Sequence, residues 1–202
     1  QLHDFSRSAS TDLPSDVEAA LRAAQGKEPP GAPAADTFAA ILDNVAMARR
    51  GGTPICQDTG SMVFYVHHPV GLDVIAFRAA IEAAAERATR AFLLRPNAVH
   101  PLTGKNSGTN VGVNAPYVTF KAWAKDEVRV KLMLKGGGSE NVGTQYKLPD
   151  PALGAGRDLK GIRKCVVDAV FKAQGMGCAP GVIGVGIGGD RATSYLLSKE
   201  QF

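Results

Sequence analysis

The sequence predicts an α+β domain: a mixed sheet flanked by amphipathic helices. Three observations carry that expectation. Apolar residues recur at helical spacing over 73–92, at Val74, Phe77, Ile81, Ala84, Ala85, Ala88 and Phe92. They alternate at strand spacing over 127–134, where Val128, Val130, Leu132 and Leu134 face one way and Arg129, Lys131 and Met133 the other. The 202 residues, 45% hydrophobic and 21% charged, are enough for one soluble domain with a real core.

In chain order, the start Gln1-Leu2-His3-Asp4-Phe5-Ser6-Arg7 has no apolar signal core, and with no initiator Met the natural chain is expected to begin earlier. Residues 15–25 and 36–50 read as helices, the second with Asp36 as its N-cap and an apolar stripe of Phe38, Ile41, Leu42 and Val45. A Pro/Gly linker, 27–33, separates them, and Arg49-Arg50-Gly51-Gly52 stops the second. Residues 62–66 are an apolar run of strand type, 73–92 a helix, and 94–114 a polar, glycine-rich loop. Strands follow at 117–120 and 127–134, a helix at 159–174, a strand at 182–187 and a final helix from Ala192. That last helix is still in progress at Phe202, with no capping glycine, so one domain over 1–202 is expected to be incomplete at its C-terminus.

A formal net charge of +4, with basic residues scattered and no long block of like charge, argues against dedicated nucleic-acid binding and suits a small acidic substrate. No stretch approaches the ~20 apolar residues of a membrane helix. The three cysteines, Cys56, Cys165 and Cys178, are too few and odd in number for a secreted disulfide framework. A reducing, cytoplasmic compartment is expected.

The densest chemistry lies in Ile55-Cys56-Gln57-Asp58-Thr59-Gly60. A thiol, an amide, a carboxylate and a hydroxyl stand on four consecutive residues, a combination that packing does not require. A thiolate can hold iron while its polar neighbours meet a substrate there. Cys178 sits in Gly175-Met176-Gly177-Cys178-Ala179-Pro180-Gly181, where a constrained loop gives a metal access; alone, it better suits a small buried hydrophobe, and only together with Cys56 is the metal reading preferred. Cys165 falls on an apolar helix stripe with Val166, Ala169 and Val170 and reads as core. Arg95, fixed between a helix end and Pro96, suits either a bidentate grip on a carboxylate or a helix-terminal charge complementing the dipole. His100 reads as a loop histidine and His67-His68 as a strand-end surface pair. Gly104-Lys105 lacks the upstream glycine of a P-loop, Val99 standing in its place.

The triple glycine Gly136-Gly137-Gly138 at a strand end lets backbone N–H groups converge on an anion or a cofactor come close; the alternative is a flexible turn. Gly184-Val185-Gly186-Ile187-Gly188-Gly189 matches the glycine spacing of a dinucleotide fingerprint. No acidic residue follows at the required distance, because the chain ends first.

Four words, in order, resemble the iron–sulfur-dependent class I fumarase and L-tartrate dehydratase family, specifically its alpha subunit or N-terminal catalytic region. They are Ile55-Cys56-Gln57-Asp58-Thr59-Gly60, Leu94-Arg95-Pro96-Asn97-Ala98, Lys135-Gly136-Gly137-Gly138-Ser139-Glu140-Asn141 and the run from Cys178 to Gly189. The resemblance implies the fold of that region and a [4Fe–4S] cluster held by three cysteines, with one iron left open as a Lewis acid. The implied reaction is reversible hydration of a four-carbon dicarboxylate: fumarate/malate or tartrate/oxaloacetate. Cys56 and Cys178 match two cluster ligands, Gln57 and Asp58 the substrate contacts beside the first, Arg95 the carboxylate-binding arginine and Gly137 a backbone contact to substrate. Asp58 is expected to relay protons or orient substrate. The third cluster cysteine lies beyond this chain and is not Cys165. The resemblance further implies a beta subunit or C-terminal beta domain, a homodimer or alpha2beta2 assembly, and a chain inactive by itself. Two other readings stand beside it: a nucleotide-binding module using 184–189, and a non-catalytic fragment retaining the fold.

Overall fold

The computed structural model describes residues 2–202. They form two compact units, one reaching to Gly136 and one formed by Gly137–Phe202. Helices α1 (Leu2–Thr11), α2 (Ser15–Gln25), α3 (Pro33–Gly51) and α4 (Val74–Arg90) belong to the first, with strands β1 (Ser61–His68), β2 (Tyr117–Ala122) and β3 (Arg129–Lys135). The second holds α5 (Gly137–Glu140), α6 (Leu159–Ala173) and α7 (Arg191–Lys199). None of these helices is long and apolar enough to cross a membrane.

The sheet of the first unit is mixed, as expected for an α+β chain. Its order is β2-β1-β3, with β1 parallel to β2 and antiparallel to β3. Phe64 stands opposite Val118 on one side and Leu132 on the other. The core gathers Met62, Phe64 and Val66 of β1 with Ile81, Ala85 and Ala88 of α4, closed by Leu93, Leu94 and Val118. Val130, Leu132 and Leu134 pack onto it, so the alternation in β3 does mark its inner face. Asp73 caps α4, accepting from the N–H groups of Ile75 and Ala76.

Several boundaries differ from expectation for physical reasons. Helix α1 has no apolar stripe to announce it: its buried residues are Ser6, Ser10 and Thr11, whose hydroxyls donate to carbonyls one turn back, at Leu2 and Arg7. Helix α3 begins at Pro33 after Ala32, not at an Asp36 cap, because a proline suits the first helical position. Phe92 leaves the α4 stripe. The helix ends at Arg90 and Phe92 is exposed in a left-handed conformation (φ 58°), while Leu93 and Leu94 turn inward. His68 is buried rather than a surface residue, its ring edge-on to Phe120. Residues 182–187 form no strand ladder among the described residues. A Cβ at Gly184 or Gly186 would land on the backbone carbonyl of Ser198 or Ser194, so these glycines let the segment lie close along α7.

In the second unit Asp158 caps α6 through the N–H of Gly161. Cys165 is buried on α6, and burial pushes its thiol pKa up. Tyr146 donates to Asp168 at 2.7 Å, and Lys172 pairs with the same oxygen at 2.7 Å. Burial first, then the Asp168 hydrogen bond, pushes the Tyr146 phenol from 10.0 up to about 12. A folded pKa above the ordinary value means this contribution is whole below about pH 10 and is lost as pH rises through about 12. Tyr146→Phe should therefore flatten the fall of stability across that alkaline window, read by denaturant unfolding at stepped pH.

Candidate active site

The turn after α3 is pinned before it reaches Cys56. Arg49 of α3 donates to Asp12 and Glu18, each at 2.7 Å, tying the ends of α1 and α2 to α3. Ile55 N–H then donates to Ser10 O at 2.9 Å, and Asn44 Nδ2 to Ile55 O at 2.7 Å. The turn closes on itself: Thr59 donates to Cys56 O through its amide (3.3 Å) and its hydroxyl (2.7 Å). Asp58 N–H is left directed at Cys56 Sγ, 3.4 Å away. Cys56 and Gln57 are exposed, and Asp58 is half-buried.

The second sequence word comes to the first. Asn97 Nδ2 donates to Asp58 Oδ1 at 3.0 Å, and Arg95 Nη1 lies 3.5 Å from the same oxygen. Arg95 N–H also donates to Thr59 O at 3.0 Å. Arg95 lies past the end of α4, so its charge serves this loop and not the helix terminus. Its guanidinium is 58% exposed, which leaves a cationic face in solvent beside the Asp58 carboxylate. Such a face can accept an anionic ligand bidentately.

Two glycines permit this closeness, and spacing alone did not reveal either role. A Cβ at Gly60 would land on Arg95 O and meet Asn97 Cγ at 2.7 Å. A Cβ at Gly136 would stand 2.7 Å from Asp58 Oδ2 and 2.8 Å from Asp58 O. Gly60→Ala should lower the stability of this unit by about 1–3 kcal/mol, read from the denaturant midpoint. Gly112→Ala, whose Cβ would find only an ordinary 3.9 Å contact, is the matched control. Sequence reading also passed over Asn97 and Asn110 as loop residues. The length of that structured polar connection was the available signal.

Gly136 closes the first unit, and Gly137 and Gly138 open the single turn α5 of the second. A Cβ at Gly138 would lie 3.2 Å from Cys178 Sγ, so the bare backbone leaves room around an exposed sulfur. A Cβ at Gly137 would meet nothing within 4 Å. Glu140 anchors the turn, accepting from Tyr195 (3.1 Å) and Lys199 (2.8 Å) of α7. His100 Nδ1 accepts the amides of Leu102 and Thr103, a turn-stabilising use. At α7 the Asp190 carboxylate occupies the amides of Ala192 and Thr193, where a nucleotide phosphate would need donors and not a negative charge.

Cys56, Cys165 and Cys178 are all free thiols, two exposed and Cys165 buried. Among the described residues no three His, Cys, Asp or Glu side chains gather into a metal-binding group. The two exposed cysteines lie one in each unit. Each has the donor chemistry of an iron–sulfur ligand: an open sulfur, with a backbone N–H beside Cys56 and a cradle at Gly138 beside Cys178.

A profile of the family described as fumarate hydratase (Fumerase) matches residues 1–202. A putative class I fumarate hydratase of Geobacillus stearothermophilus is 50% identical over 195 residues, 95% of this chain and 38% of that protein. A putative L(+)-tartrate dehydratase subunit alpha of Methanocaldococcus jannaschii is 34% identical over 96% of this chain and 68% of its own length. The L(+)-tartrate dehydratase subunit alpha of Escherichia coli K12 is 28% identical over 98% of this chain and 64% of its own. The chain thus spans between about a third and two thirds of these relatives.

Proposed function

The chain belongs to the fumarate hydratase (Fumerase) family, and from that premise we propose that it carries part of the site of an iron–sulfur hydro-lyase. The reaction is reversible hydration of a four-carbon dicarboxylate, fumarate/malate or tartrate/oxaloacetate; its relatives are named for fumarate and for L(+)-tartrate. The observation that carries the proposal is the Cys56 turn: Asp58 turns its backbone N–H to the exposed Cys56 thiol and its carboxylate to a solvent-facing guanidinium.

Cys56 and Cys178 would hold a [4Fe–4S] cluster, with the third ligand supplied from outside this chain, since Cys165 is buried in α6. When bound, the cluster supplies a Lewis-acidic iron. This chain's residues do the positioning. Arg95 grips a substrate carboxylate, Gln57 reaches it from the exposed side of the turn, and Gly137 offers backbone contact. Asp58, oriented by Asn97, orients the substrate and relays a proton at its carboxylate oxygen. A beta subunit or C-terminal beta domain completes the site, in a homodimer or alpha2beta2 assembly, within a reducing cytoplasmic compartment.

The test is anaerobic reconstitution of the complete natural protein, with its beta partner where that is a separate chain. Iron-dependent turnover of malate or tartrate supports the reading. A protein that takes up iron and sulfide yet turns over neither contradicts it. The Asp190 cap weighs against the nucleotide-binding alternative, and an NAD titration without saturation would agree.

A further inference from the structure

We infer that Asn110 is a positioning residue of this site: its side-chain amide fixes the loop that presents Arg95 and Asn97 to Asp58. The consequence for turnover rests on the hydro-lyase reading; the positioning rests on geometry alone. Asn110 is 2% exposed and adopts a left-handed backbone (φ 58°), a conformation asparagine tolerates better than most residues.

Its amide is fully used. Oδ1 accepts from Asn97 N–H at 2.6 Å and Ala98 N–H at 3.2 Å. Nδ2 donates to Arg95 O at 2.8 Å and Thr89 Oγ1 at 3.0 Å. Two acceptor sites and two donors are all that an amide of this kind offers to such a loop. Thr89 is buried on α4, and its hydroxyl donates to Ala85 O at 2.7 Å, so the loop is referred to the helix that forms the core. Arg95 is thereby held at both backbone ends, its carbonyl by Asn110 and its N–H by Thr59 O. Asn97 is held at its amide while its side chain reaches Asp58 Oδ1. The Asn110 amide faces loop backbone and Thr89, so it acts on Asp58 through these two residues.

Truncation leaves two donors and two acceptors without this partner in a partly buried place, and the loop must move to re-pair them. Displacement of a charged clamp by an ångström is costly for turnover.

The experiment compares wild type, Asn110→Ala and Thr89→Val in the complete, cluster-loaded protein. Thr89→Val is near-isosteric and spares both bonds to Oδ1, so it remains informative where Asn110→Ala fails to fold. Amide hydrogen exchange and dicarboxylate kinetics are read together. Asn110→Ala should speed exchange at Asn97 and Ala98 by about tenfold or more, with Phe64 of β1 still protected. Its kcat/KM should fall about 100-fold. Thr89→Val should fall between wild type and Asn110→Ala in both readouts. Unchanged exchange at Asn97 and Ala98 would overturn the inference, as would loosening of β1 in parallel with the loop. Loosened loop amides with kcat/KM within about twofold of wild type would overturn it as well. If wild type turns over no dicarboxylate, the hydro-lyase reading fails, and the exchange pattern alone decides the positioning.

Discussion

Cys56→Ser in the complete, cluster-loaded protein should lose iron and about a thousandfold in kcat/KM, the scale of losing several kcal/mol of Lewis-acid stabilisation. Serine keeps the size of the side chain but removes the soft ligand. The turn itself should survive, because Thr59 closes it on the carbonyl of Cys56 and not on the sulfur. Cys165→Ala is the contrast. That thiol is buried on α6, where burial and the nearby Asp150 and Asp168 carboxylates hold its pKa high, the opposite of what a ligand thiolate needs. It should keep its iron and activity and lose about 1 kcal/mol of stability. Iron and sulfide assays beside kinetics separate the two cases.

Asp58→Asn should keep the cluster iron and lose about 10²- to 10⁴-fold in kcat/KM, the usual cost of removing a proton-transferring group. The change is isosteric, and the turn's own hydrogen bonds do not use the carboxylate. What disappears is the charge that meets Arg95 at 3.5 Å and accepts from Asn97 at 3.0 Å. A proton-relay role places the loss mainly in kcat, because Arg95, the proposed grip on the substrate carboxylate, remains. A loss confined to KM would instead assign Asp58 to binding. Full retention of kcat/KM would remove it from the reaction.

Much of this architecture was legible where packing imposes a period. The alternation in β3 and the alanine-rich face of α4 announced the sheet and the helix that covers it. Helix α1 was silent because serine and threonine hydroxyls, satisfied on their own helix, replace the usual apolar stripe. Residues 182–187 misled for the opposite reason: β-branched residues between glycines look like a strand, whereas the glycines serve close approach to α7. In the site, the Cys56 word and the Arg95 word were each readable as chemistry. Their meeting at Asp58 was not, because it depends on Gly60, Gly136 and the buried amide of Asn110. No periodicity marks a loop whose order comes from side-chain bonds to its own backbone.

The Cys56 turn and the Arg95 loop are proposed to form together one iron-linked dicarboxylate site. The most direct measurement is a crystal structure of the complete protein, prepared without oxygen and with malate or tartrate bound. The expected result is iron–sulfur density on Cys56 Sγ and a ligand carboxylate within hydrogen-bond reach of the Arg95 guanidinium. A ligand bound away from Arg95, or a cluster that leaves Cys56 unligated, would contradict it.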